Sequence, residues 1–268
     1  MPTLTDPARE LAEICERLSE PADRITGDAY MAKKFEVRAW SKDFYQIIFC
    51  IVERADYLLK LIDEIELDDD IRNDAKAHVE QIKLAFSKES LNNRWTKDGQ
   101  GLSHLKRENI QPIKMLSQQI RQKVSFPKLD SDEIAELLGM LSELEGWLRE
   151  HQLKDQDFIR QSIIDGTIQL KFRLERVGWL GWGYTIESLR EVIGAYLALE
   201  RGFPDLAQAP DAEAVLKKTG AFVKKFYEKT ALVKDISETA DFVLRAYGAT
   251  TLFLHGAGVA GLLTFAGQ

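Results

Sequence analysis

The stretch VRAWSKDFYQIIFCIVERADYLLKLIDEIEL, Val37 to Leu67, decides the fold class. Its apolar positions run Val37, Trp40, Phe44, Ile48, Ile51, Ala55, Leu58, Ile62 and Ile65, in steps of three and four. Such steps keep one face of a 3.6-residue turn apolar, which marks a helix packed along most of its length. The pattern extends back towards Asp28. One helix from Asp28 to Leu67, about 35–40 residues and roughly 55–60 Å long, is therefore expected.

The flanking sequence continues in the same style. Thr5 or Asp6 followed by Pro7 is a helix start, a side-chain cap and then a proline whose missing N–H costs nothing in the first turn. Leu11, Ile14 and Leu18 share a face, and Pro21 ends that short helix. Asp68, Asp69 and Asp70 put negative charge where a following helix, about Ile71 to Phe86, favours it. Ser87 to Asn109, with Asn92, Asn93, Asp98, Gly99 and Gly101, has the composition of a long loop. A helix is expected from about Gln111 to Val124. Asp130 with Glu133 predicts a capping box, ahead of Ile134, Leu137, Leu141, Leu144 and Leu148.

A further helix spans about Asp155 to Val177 and ends in Gly178-Trp179-Leu180-Gly181-Trp182-Gly183-Tyr184. The glycines permit a tight turn, and the aromatics are either core plugs or an exposed patch. Thr185 is placed to cap the next helix, Gly202 to Pro210 interrupts it, and Asp211 caps another. No strand-like alternation is sustained and no repeat period is present. The expected fold is all-α: a multi-helix bundle over residues 1–203, then a basic amphipathic helix and an apolar, Gly/Ala-rich C-terminal helix over 211–268.

The net charge of -7 argues against nonspecific nucleic-acid binding by the whole molecule. Cys15 and Cys50 sit among apolar residues of expected helices and make no disulfide framework, which points to a reducing compartment. The beginning MPTLTDPARELAE has no basic start and no apolar core, so it does not resemble a secretory signal. A cytoplasmic protein is expected, peripheral to a membrane or inserted in one by its C-terminal part.

That expectation rests on the last part of the chain. In the helix after Asp211, Lys217, Lys218, Lys224, Lys225 and Lys229 fall within an arc of about 140° at 100° per residue. Val215, Leu216, Phe222, Val223, Phe226 and Tyr227 take the other side. A lysine face opposite an aromatic-aliphatic face is the pattern of a helix at a membrane interface, and it is also that of a surface helix of a bundle. After a further stretch, Ala231 to Arg245, no Asp, Glu, Lys or Arg follows: AYGATTLFLHGAGVAGLLTFAGQ runs from Ala246 to Gln268. Its length suits a membrane span. His255 near its middle opposes solitary insertion. Ala249, Gly256, Ala260 and Gly267 line one face with small residues, which lets helices approach closely.

Motifs for chemistry are few. Gly256-Ala257-Gly258-Val259-Ala260-Gly261 spells a dinucleotide fingerprint, but seven residues follow it, too few for the helix and the acidic residue it needs. No HExxH, no Walker loop and no cysteine near a histidine at ligand spacing is present, so neither a metal nor a cofactor is expected. Lys106, Arg107, Lys114, Arg121 and Lys123, near His104, could hold an anion or remain a solvated face.

Arg72-Asn73-Asp74-Ala75-Lys76-Ala77-His78 resembles the arginine–histidine element of the HEPN ribonucleases, small all-helical toxins and defence proteins. The resemblance is confined to these residues, and Asp74 and Lys76 are more polar than that family's usual intervening positions. It implies a metal-independent ribonuclease acting with paired subunits. Arg72 would act on the phosphate, His78 in proton transfer, and Asn73 as a supporting polar group.

Three functions follow. The leading one is a non-enzymatic helical protein that meets an anionic membrane or a protein partner and forms a homo-oligomer through its C-terminal segment, in its strongest form a pore-forming or membrane-disrupting effector. The alternatives are a helical scaffold or partner-binding module with the tail in its core, and the ribonuclease.

Overall fold

In the computed structural model, residues 4–20, 25–95, 100–153, 157–202 and 209–230 are described. The fold is all-α. Helix α1 (Pro7–Leu18) begins as the sequence predicts: the Asp6 carboxylate accepts from the Arg9 N–H at 3.0 Å, and Pro7 occupies the first turn. Leu11, Ile14 and Leu18 are buried, so the face predicted by spacing is the face that packs.

The single long helix expected from Asp28 to Leu67 is corrected. The chain forms α2 (Gly27–Phe35) and α3 (Lys42–Glu64) instead. Glu36 closes α2 in the left-handed region at φ 57° and ψ 38°, and Trp40 is left-handed too at φ 59°. Each such residue breaks the helical path, so the spacing through Val37 and Trp40 does not trace one face. Ser41 then caps α3, its Oγ accepting from the Phe44 N–H at 3.2 Å. Beyond the cap the stripe holds: Phe44, Ile51, Ala55, Leu58 and Ile62 are all buried.

Helix α4 (Asp69–Leu84) buries Ala75, Val79 and Ile82. The loop expected over Ser87–Asn109 contains α5 (Lys88–Asn92), α6 (Gln100–Ser103) and the first turn of α7 (Arg107–Met115). Elements of one or two turns are too short to display apolar periodicity. The helix expected from Gln111 to Val124 is likewise two, α7 and α8 (Ser117–Lys123), parted at Leu116.

The chain divides into two compact units. The first comprises Leu4–Ser125 together with Gly178–Gly181. Its frame is α1 packed on α3 and α7, with α4 also packed on α3 and α7. The second takes Phe126–Val177 and the described residues from Trp182 onward. Here α9 (Ser131–Glu150) starts with the predicted capping box and buries Leu137, Leu141, Leu144 and Leu148. Helix α10 (Asp157–Glu175) leads into a single turn, α11 (Val177–Leu180), followed by α12 (Trp182–Gly202) and α13 (Pro210–Thr230). The last two begin at Trp182 and Pro210, slightly ahead of the caps expected at Thr185 and Asp211.

Within the second unit α10 packs on α9 and α12, and α13 packs on α9 and α12. A Cβ on Gly166 would lie 3.0 Å from the Val192 side chain, so glycine lets α10 and α12 approach closely.

Candidate functional site

On α13 the predicted two-faced geometry is present. Lys217, Lys218, Lys224 and Lys225 are exposed, while Val215, Leu216, Phe222, Val223 and Phe226 are buried. Phe226 is 0 % exposed, and its ring centroid lies 5.9 Å from that of Phe222. The aromatic face is therefore committed to packing, which corrects the expectation that Phe222 and Phe226 are themselves available to lipid or a partner in this state. Lys229 belongs to α13 by its backbone. Ala249, Gly256, Ala260 and Gly267 lie outside the described residues. Among the described residues no helix is long and apolar enough to cross a membrane.

Arg72 and His78 both lie on α4 but are not brought together. Six residues apart, they are separated by about 120° around the helix and about 9 Å along it. Arg72 is occupied at the helix start, donating to the Asp69 carboxylate at 2.6 Å and to the Leu67 carbonyl at 3.0 Å. His78 Nδ1 lies 3.1 Å from Asn109 Oδ1, and the Asn109 amide donates to the His104 carbonyl at 3.1 Å. With the amide nitrogen so engaged, Asn109 presents its oxygen to His78, and the imidazole Nδ1 is the donor. His78 thereby ties α4 to α7, and Asn73 is exposed.

Two cations of the basic stretch, Lys114 and Arg121, are occupied, while Lys106, Arg107 and Lys123 are exposed. Lys114 bonds Glu16 of α1 at 2.7 Å, and Arg121 bonds the fully buried Asp6 at 3.0 Å. Ser117 donates to the same Asp6 carboxylate at 2.5 Å. These cations hold α1 against α7 and α8 and do not form an open anion site. Among the described residues no group of three or more His, Cys, Asp and Glu is placed to hold a metal.

Two features of the first unit had no counterpart in the sequence expectations. One is a buried charge node. Arg54, 5 % exposed, stands 3.6 Å from Glu10 and donates to the Trp179 carbonyl at 3.2 Å. Burial pulls the guanidinium below its usual pKa while the Glu10 charge opposes the shift. Burial likewise pushes the neighbouring Cys15 thiol up to about 12, so it stays protonated and inert. Gly178–Gly181 closes the node. The Arg17 guanidinium lies 3.9 Å over the Trp179 ring and donates to the Gly178 carbonyl, and Trp179 meets Phe35 edge-on at 4.9 Å. Of this segment's aromatics Trp182 is buried and Trp179 half-buried, so the core-plug reading fits Trp182, and the Tyr184 side chain lies outside the described residues.

The other is an open cavity of about 570 Å³ between the start of α3 and the α4–α5 connection. Phe44, Ile48, Phe86 and Leu91 form its apolar wall, Trp40 and Tyr45 its aromatic lip, and Lys88 and Asn92 its polar rim. Trp40 stands 5.4 Å from Phe44 and 5.8 Å from Tyr45, centroid to centroid. The Trp40 indole N–H donates to Asp28 at 2.7 Å, which fixes the ring. A tryptophan next to a capping serine, with a second aromatic just inside the helix, was the available signal. Its left-handed backbone was not visible in the sequence.

Comparison with protein-family models, with curated proteins and with solved structures finds no match.

Proposed function

We propose that this chain is a non-enzymatic helical protein that binds an anionic membrane surface through the lysine face of α13 and associates further through Ala246–Gln268. The observation that carries this reading is the exposure of Lys217, Lys218, Lys224 and Lys225 on a helix that is itself packed. All four are exposed on one side of a helix whose opposite side is anchored by buried Phe222 and Phe226. A preformed helix meets anionic headgroups without the cost of ordering its backbone. Each lysine near such a surface contributes about 1 kcal/mol. The uncharged C-terminal run follows the lysine face by a short stretch, which would bring it close to the same surface.

In this arrangement α13 need not insert its apolar face. It docks by charge, and the C-terminal run supplies the apolar contact or the helix–helix contact between copies. The burial of Phe222 and Phe226 equally favours a second reading, in which α13 belongs to a scaffold and its lysines address an acidic protein partner.

Vesicle flotation of the full chain separates the two. Binding to phosphatidylserine-containing vesicles, absent with pure phosphatidylcholine and lost when Lys217, Lys218, Lys224 and Lys225 are all changed to Glu, supports the membrane reading. A chain that floats with neither vesicle, or a charge-reversed variant that still floats, overturns it.

A further inference from the structure

We infer that the cavity at the start of α3 is a binding site for a small apolar carboxylate. Its volume, about 570 Å³, lies within the range of small-molecule sites, roughly 300–1,000 Å³, and is too small for a helix. The wall is apolar, the lip is aromatic, and among the described residues Lys88 is the only charged side chain lining it. Among the described residues no acidic side chain lines the cavity and Lys88 makes no ion pair. That charge pattern selects an anion. The Asn92 amide beside it offers a further donor to a carboxylate oxygen.

The backbone supports a built site. Trp40 adopts φ 59°, a conformation a bulky side chain avoids, and the residue remains 39 % exposed at the cavity mouth. An indole packed into the core would repay that strain by burial, whereas this one is held half in water. Its N–H is anchored to Asp28, so the ring cannot swing away without losing that bond. Strain held in place at a cavity mouth is a feature of ligand sites. The ligand's apolar body would lie between Trp40, Tyr45 and Ile48, and its carboxylate would reach Lys88. Every group lies in the first unit, whereas the lysine face belongs to α13 of the second.

Isothermal titration of the full chain with 2-naphthoate, and with its neutral counterpart 2-naphthamide, tests this. Saturable one-to-one binding of naphthoate, at least fivefold tighter than the amide, is the expected result. Lys88→Met should erase that preference and leave amide binding unchanged. Ile48→Trp, which fills the cavity from a half-exposed position, should abolish both, with helical circular dichroism and melting temperature retained. Absence of saturable naphthoate binding up to about 1 mM, the range of the weakest specific complexes, overturns the site. Equal affinity for the two ligands, or binding that survives Ile48→Trp, overturns it as well.

Discussion

Arg54 donates a hydrogen bond to the carbonyl of Trp179, 125 residues further along the chain. The same guanidinium faces Glu10 at 3.6 Å, and both side chains are buried. A buried pair gives little net stability, yet removing one partner strands the other charge away from water. Arg54→Met is therefore expected to cost about 3–5 kcal/mol in urea unfolding. The double variant Arg54→Met/Glu10→Gln should recover a large part of that loss. Equal destabilisation of single and double variants would show that Arg54 acts through packing and not through its charge.

Gly181 carries φ +80°, and a Cβ there would come within 2.3 Å of Arg54 and 2.4 Å of Glu10. Gly181→Ala should destabilise by about 1–3 kcal/mol or more, through backbone strain and displacement of the charge node. Gly139 is the internal control: it is exposed on α9, with nothing within 4 Å of its added Cβ. Gly139→Ala should stabilise by about 0.5–1 kcal/mol, by helix propensity alone. Melting temperatures that move in the same direction for both variants would contradict the geometry at Gly181.

Asp157 accepts from the backbone N–H of Leu153 at 3.0 Å and pairs with Arg160 at the start of α10. The Arg160 hydrogen bonds hold its carboxyl down at about 2. A pKa lowered on folding contributes stability that is present above the unfolded value, near 3.9, and is lost as pH falls towards 2. Asp157→Asn should thus lower the urea midpoint at pH 7, and the gap to the parent chain should close between about pH 4 and 2. Exposure of the Asp157 carboxylate, 42 % against 6 % for the Arg160 side chain, keeps the gap modest. A gap that is constant with pH would assign the effect to the cap geometry alone.

Local chemistry was the legible part of this fold. Asp6-Pro7 and Asp130 with Glu133 announce α1 and α9 because a cap is satisfied within a few residues of itself. The leucines of α9 announce their face because nothing interrupts it. Between Asp28 and Leu67 the same periodicity misled, because two left-handed residues, Glu36 and Trp40, leave the spacing intact while turning the chain. Ser41 was the sign of a break, outweighed by the apolar run around it. Arg54, set on the stripe between Ile51 and Leu58, was the clue to a buried charge, but Glu10 and Trp179 could not be paired with it from sequence. On α13 the two faces were legible and the destination of the aromatic one was not. Whether Phe222 meets lipid or α9 and α12 depends on residues far away in the chain.

The central claim is that Ala246–Gln268 enters an apolar environment when the lysine face of α13 meets an anionic surface. An environment-sensitive dye on Leu254→Cys in the full chain tests this most directly, since Cys15 and Cys50 are buried and resist labelling. The expected result is emission characteristic of water in the vesicle-free protein, shifting to the blue with phosphatidylserine-containing vesicles and unchanged with neutral ones. Emission already blue-shifted before vesicles are added, and indifferent to them, would contradict the account and place the segment in a protein core.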